Sequence, residues 1–394
     1  MKLKKIFSAV CILALVAVLA AGCSGSGSGG GGDESSGSDV IKIGLNYELT
    51  GDVATYGQQS VEGIEMAVDE INAAGGVLGK QIELIKMDNK SDAAEALSIA
   101  TNLMTRQGVV AVLGPATSGR FKNTIPAATE YQIPVLSGSA TAEDVTADEN
   151  GVKEFAFRIC FRDSFQGTAM ANFAMKNLSA SKAVVIMDNT SDYAKGLAEN
   201  FEATFTDNGG EIVAEEGYVT NDKDFYAILT SIKAKNFDVI FIPGYYQEAG
   251  LIIKQAREMV IDVPILGADG FDSPALVELA GADALNNVYF SNHYSSLDKD
   301  PLVLQFIEDF KARYGTEPSA FNALGYDMGK FVADAIERAG SDDPIAIKDA
   351  MASTTNFVGV TGTFSIDEEH NAIKSAVIIG LENGEQATSV KAGL

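Results

Sequence analysis

The chain has 394 residues, 29 Lys plus Arg against 54 Asp plus Glu, and a formal charge of −25 at pH 7. That length suits two domains, or three at most, at roughly 100–200 residues each. With 46% hydrophobic and 21% charged residues it is too apolar for a disordered chain, and its acidity argues against binding phosphate backbones, which takes Lys and Arg patches. Only two histidines, His293 and His370, and three cysteines are available. The common zinc sites and the Ser-His or Cys-His nucleophiles would have to draw on them, so the usual hydrolase and metalloenzyme toolkits are nearly absent without an enzyme being excluded, and no metal or cofactor is expected.

Chain order begins with an address. Lys2, Lys4 and Lys5 form a basic start, and residues 6–21 are an apolar run broken only by Ser8. This is short for a membrane span, which needs about 20 apolar residues, and fits a secretory signal over residues 1–22. Ala20-Ala21-Gly22-Cys23 resembles a bacterial lipobox, which would make Cys23 the lipidated mature N-terminus. Cleavage there removes three lysines and no acid, so the mature chain is more acidic still. Cys11 leaves with the signal and Cys23 is modified, so Cys160 stands alone and no intrachain disulfide is expected. Residues 24–38 hold only Gly, Ser, Asp and Glu, a composition that cannot bury apolar surface. As a flexible tether it reaches roughly 20 Å from the membrane.

From residue 40 short apolar strands alternate with helical stretches. A strand is predicted over 41–45, and then a helix over 56–73 with Val61, Ile64, Ala67, Val68 and Ile71 at helical spacing. Gly75-Gly76 ends that helix. Strands over 82–87, 109–113 and 133–136 enclose helices over 91–106 and 119–131. Alternation of this kind gives a mostly parallel sheet with helices on both faces. An acidic, turn-rich stretch at 141–153 interrupts the pattern, which then restarts. Strands are predicted over 183–187, 212–214, 239–242 and 264–266, and helices over 164–177, 194–206, 225–235 and 247–259. Helices over 301–314 and 318–339 and closing strands over 357–364 and 376–381 complete the chain. The fold class is therefore α/β, with two doubly wound parallel-sheet lobes. Ligands in such sheets bind beyond the carboxyl ends of the strands, which here points to the cleft between the lobes.

Several strand ends carry suitable chemistry. Gly114-Pro115-Ala116-Thr117-Ser118-Gly119 runs into a helix whose free N–H groups suit a carboxylate, with Ser118 a good N-cap type. Ser137-Gly138-Ser139-Ala140-Thr141 offers small residues and hydroxyls. Both stretches fit plain helix-capping loops equally well. Asp269, between Gly267 and Gly270, suits an ammonium group, although an Asp in a turn is commonplace. Tyr193 and Tyr56 are placed to wall a cleft, although a lone exposed Tyr is unremarkable, and Arg120 reads as a solvated helix residue or a contact to a polar ligand. Enzyme motifs fail. Ala74 stands where a P-loop before Gly79-Lys80 needs Gly, and Ser118 and Ser139 lack the first Gly of a nucleophile elbow.

Gly51-Asp52-Val53-Ala54-Thr55-Tyr56-Gly57, Ile71-Asn72-Ala73-Ala74-Gly75-Gly76-Val77-Leu78-Gly79, Gly114-Pro115-Ala116-Thr117-Ser118, Gly244-Tyr245-Tyr246 and Gly267-Ala268-Asp269-Gly270, in this order, resemble the branched-chain amino acid substrate-binding proteins of ABC importers. The resemblance runs from about residue 41 to the C-terminus and implies the type I periplasmic-binding-protein fold and a binder without catalysis. It places a ligand carboxylate on Ser118, Ser139, Ala140 and Thr141, an ammonium on Asp269, and a side chain among Tyr56, Tyr193 and Tyr245. It implies hinge strands near Arg162, His293 and Val358, giving lobe 1 as 39–161 plus 293–357 and lobe 2 as 162–292 plus 358–394. The expected protein is an extracytoplasmic, lipid-anchored monomer that carries an aliphatic amino acid to permease and ATPase subunits. The same fold would also serve an amide, a urea-like compound or an aromatic acid, or act as a solute sensor for a signalling partner.

Overall fold

The computed structural model describes residues 40–392, so the leader, Cys23 and the Gly/Ser segment lie outside the described residues. Val40–Tyr47 (β1), Gln81–Asp88 (β2), Ala111–Leu113 (β3) and Val135–Ser137 (β4) are followed by a small hairpin, Ala147–Asp148 (β5) and Gly151–Val152 (β6), and by Ala156–Arg158 (β7). Apart from that hairpin these strands make one sheet, ordered β2-β1-β3-β4-β7 and parallel throughout. Strands buried on both faces read as unbroken apolar runs, as in the wholly buried Ala111-Val112-Leu113. Ala54–Ala73 (α1), Ala93–Asn102 (α2) and Ser118–Tyr131 (α3) are the crossover helices. The helix predicted over 91–106 is capped by Asp92, whose carboxylate accepts the Glu95 N–H at 2.8 Å, and it ends in a π turn at Leu103–Gln107.

A second sheet follows from Lys182–Asp188 (β8), Glu211–Tyr218 (β9), Val239–Phe241 (β10), Ile265–Gly267 (β11) and Val288–Asn292 (β12), in the order β9-β8-β10-β11-β12 and again parallel. Its helices are Asp163–Asn177 (α4), Asp192–Asp207 (α5), Tyr226–Lys233 (α6), Tyr246–Glu258 (α7) and Pro274–Ala280 (α8). Pro301–Tyr314 (α9), Ala320–Ala339 (α10) and Pro344–Ala352 (α11) return to the first sheet's side, α10 lying along α1. Two glycines make that helix pair close. A Cβ at Gly63 would stand 2.0 Å from the Asn322 carbonyl oxygen, and one at Gly325 would stand 2.1 Å from that of Ser60.

The segment predicted as one strand over 357–364 turns back on itself. Phe357–Gly359 (β13) and Gly362–Ile366 (β14) pair antiparallel across a turn where Gly362 has φ +108°, and Ala372–Ile373 (β15) pairs with β14. Ala376–Glu382 (β16) and Glu385–Ala392 (β17) then join the second sheet antiparallel to β12, so that sheet is mixed at one edge.

The chain passes between the two sheets three times, at 159–162, 293–300 and 374–375. The first two lie at the expected Arg162 and His293. The third lies downstream of the expected Val358, because the intervening hairpin is held to the first side. The Asp327 carboxylate on α10 accepts the N–H groups of Val360 at 2.8 Å and Thr361 at 2.9 Å, and the Arg158 N–H on β7 donates to the His370 carbonyl.

Candidate functional site

The carboxyl ends of both sheets converge on a small, tightly closed space lined by Tyr56, Ala116, Thr117, Ser139, Tyr193, Tyr245, Asp269, Gly270 and Phe321. Five of the eight residues singled out in the sequence as ligand contacts (Tyr56, Ser139, Tyr193, Tyr245 and Asp269) are thus brought to one space. Ser118, Ala140 and Thr141 are not among its lining and form the layer behind it. Ser118 does not cap α3, whose N-cap position is Thr117; its hydroxyl accepts the Ala142 N–H at 3.1 Å. The Ala140 carbonyl accepts Arg158 Nη1–H at 3.2 Å and the Cys160 thiol, and the Thr141 hydroxyl lies beside the buried Asp163 carboxyl.

The first-sheet wall is built on a buried carboxylate. Glu48, just past the end of β1, accepts the N–H groups of Ala116 at 3.0 Å and Thr117 at 3.2 Å and the Thr117 hydroxyl at 2.7 Å. This shapes the turn that brings the start of α3 to the cavity, and a helix start carries positive partial charge and free N–H donors. Ser139 donates to the Ala116 carbonyl at 2.8 Å and so links the two loops. Arg120 donates to Thr117 Oγ1 and faces a wider space of about 320 Å³ at the mouth of the cleft, with Asp52, Lys122, Asp192, Tyr245 and Gln247.

The second-sheet wall is acidic. Asp269 sits in the turn Asp269–Phe271 after β11 and is 3% exposed. Its Oδ1 accepts Tyr193 Oη–H at 2.7 Å and Gln166 Nε2–H at 3.1 Å, and its Oδ2 faces His293 Nε2 at 3.2 Å. Tyr193 Oη also accepts the Gly270 N–H at 3.0 Å. Burial first, and then the Asp269 charge, holds the Tyr193 phenol well above the usual tyrosine range. Burial likewise raises the Asp163 carboxyl, although the Thr141 hydroxyl beside it pulls the other way.

Aromatic rings close the sides. Tyr56 stacks on Phe321 with centroids 4.3 Å apart, and Tyr193 stacks on Tyr245 at 5.0 Å. The cleft is shut across its width. Tyr56 Oη–H donates to the Gly270 carbonyl, the Tyr246 N–H donates back to Tyr56 Oη at 3.2 Å, and Tyr246 Oη–H reaches the Asp52 carbonyl at 3.0 Å. Lys122 on α3 pairs with Asp192 at the start of α5 at 2.5 Å.

The arrangement offers donors and a helix start at one pole, a carboxylate at the other and aromatic rings between. Sequence reasoning missed Glu48, Gln166 and Phe321. The strand-end rule points to Glu48 just past β1, but it points equally to Asp88 and Asp188, which end β2 and β8, and so does not single it out. Phe321 lies in the first turn of a helix with nothing local to mark it.

Residues 40–386 match the family model of the periplasmic binding proteins. The chain belongs to that family. Among relatives of this binding protein, the leucine-, isoleucine-, valine-, threonine- and alanine-binding protein of Pseudomonas aeruginosa is 30% identical over 338 residues, covering 85% of this chain and 88% of its own. The substrate-binding protein of a branched-chain amino acid transporter from Streptococcus pneumoniae, solved with isoleucine, is 44% identical with a TM-score of 0.85, covering 90% of this chain and all of its own. A leucine-binding protein of Thermotoga maritima is 37% identical with a TM-score of 0.84, covering 90% and 99%.

Proposed function

We propose that the protein is the extracytoplasmic solute-binding subunit of an ABC importer and captures a branched-chain amino acid in the cleft between its sheets. The observation that carries this reading is the pairing of Asp269 with the start of α3 across a small, aromatic-walled cavity. A zwitterion with an aliphatic side chain meets complementary chemistry at all three points. The ligands of the similar proteins support the same class. Tyr56, Tyr193, Tyr245 and Phe321 enclose the side chain, Asp269 takes the ammonium, and the Ser139 loop with the start of α3 takes the carboxylate. Ser118, Ala140 and Thr141 shape that carboxylate pole from behind.

The protein binds without transforming its ligand, works as a monomer and delivers to permease and ATPase subunits. Cys23 carries the lipid that holds it at the membrane, with 23–38 as tether. Lobe 1 is 39–161 plus 293–373 and lobe 2 the remainder, the boundary moved from 357 by the hairpin's attachment to α10. Calorimetric titration of the purified protein, refolded to strip carried-over solute, tests the reading against leucine, isoleucine, valine, charged amino acids and benzoate. Tight 1:1 binding of the branched-chain group alone is expected. Binding of benzoate with silence toward amino acids would contradict it.

A further inference from the structure

Asp269 is buried, yet among the described residues no Lys or Arg pairs with it. A carboxylate has about four acceptor sites on its two oxygens. Tyr193 and Gln166 occupy Oδ1, His293 occupies one site on Oδ2, and one site on Oδ2 is left. Gln166 is itself fixed, its Oε1 accepting the Asp269 N–H at 3.2 Å and the Ser291 hydroxyl at 2.8 Å. His293 is fixed by stacking on Phe161, with centroids 3.7 Å apart and planes 17° from parallel. Phe161 lies on the first passage between the sheets and His293 on the second, so two passages meet at this carboxylate.

The state of the imidazole follows from its other nitrogen. His293 Nδ1 is buried without a partner. A proton there would be an unsatisfied buried donor, so the ring's single proton belongs on Nε2, where Asp269 accepts it. We propose that His293 is a positioning residue that orients Asp269 through an uncharged Nε2–H, leaving the carboxylate's charge uncompensated until the ligand's ammonium arrives. This rests on Asp269 being the ammonium partner. A histidine that donated as a cation would neutralise Asp269 and compete with the ligand. Burial pushes the His293 imidazole below its usual range, and Lys374 on the third passage pushes the same way against the pull of Asp269. Asp269 and Lys374 are the charged groups acting on the ring; Cys160 of the first passage and Asp163 at the start of α4 lie a step beyond, each within the influence of Asp269.

The test is isoleucine titration of the wild type, His293→Gln and His293→Phe between about pH 5 and 8, the range in which a histidine charges. Gln keeps an uncharged donor at the Nε2 position, and Phe keeps the stack without a donor. At neutral pH His293→Phe should weaken binding about tenfold or more, as expected for a lost bond to a charged acceptor, while His293→Gln stays within about threefold. Any loss of wild-type affinity toward acid pH, where the ring would take a second proton, should be absent from His293→Gln. A tenfold loss in His293→Gln would overturn the proposal even if the Phe variant fails to fold, as would full affinity in His293→Phe. Failure of the wild type to bind any amino acid would remove the reading beneath it as well, so the two failures are told apart by the wild-type curve.

Discussion

At the scale of single residues, two buried carboxylates divide the work of the site. Asp269 faces the cavity with one acceptor site to spare, whereas Glu48 is consumed by its three donors from Ala116 and Thr117 and supports the wall. Glu48→Gln retains the shape but gives up charge and half the acceptor oxygens, leaving a buried N–H or hydroxyl short of a partner. Urea unfolding should show a loss of about 1–3 kcal/mol, the range for a buried donor left unsatisfied. The same variant should bind isoleucine more weakly, because the loop it holds lines the cavity. Unchanged stability would place these donors with some other acceptor. Asp269 and the three tyrosines were legible in the sequence because glycines or strand ends flank them. Gln166 and the contact of His293 with Asp269 were not, since the first turn of α4 and the end of β12 reach this carboxylate only through long-range packing.

Element by element, the sequence was informative wherever periodicity and caps agreed. The helix over 56–73 differs from α1 by two residues at one end, and the strands of the first sheet lie within a few residues of their apolar runs. The strands β7 and β17 and the helices α8 and α11 escaped because each is short or mixed in polarity and gets its stability from neighbours rather than from its own pattern. The hairpin at β13 and β14 shows the same limit: Gly362 marks the turn, but its attachment to Asp327 is a long-range fact. The α1–α10 contact makes an element-scale prediction. Gly325→Ala puts a methyl group against the Ser60 carbonyl, and overpacking of this kind costs about 1–3 kcal/mol. A lower denaturation midpoint at unchanged slope is expected; wild-type stability would mean that the helices separate without penalty.

For the molecule as a whole, three passages join the two sheets, and further contacts tie them together across the cleft; in the proposed function the passages act as a hinge. Tyr56 with Gly270, Tyr246 with Asp52, and Lys122 with Asp192 each join residues carried by different sheets. Opening must break all three, and closing around a solute satisfies the polar groups that line the cavity. The central claim is that this closure selects a zwitterion through Asp269. Its most direct test is titration of the wild type with isoleucine and with 3-methylpentanoic acid, the same molecule without its ammonium. Isoleucine should bind 1:1, with a loss of at least about tenfold for the acid, the least expected when a charge-assisted bond disappears and a buried carboxylate is left unpaired. Equal affinity for the two would contradict it, leaving the fold in place and removing Asp269 from the recognition of the ligand.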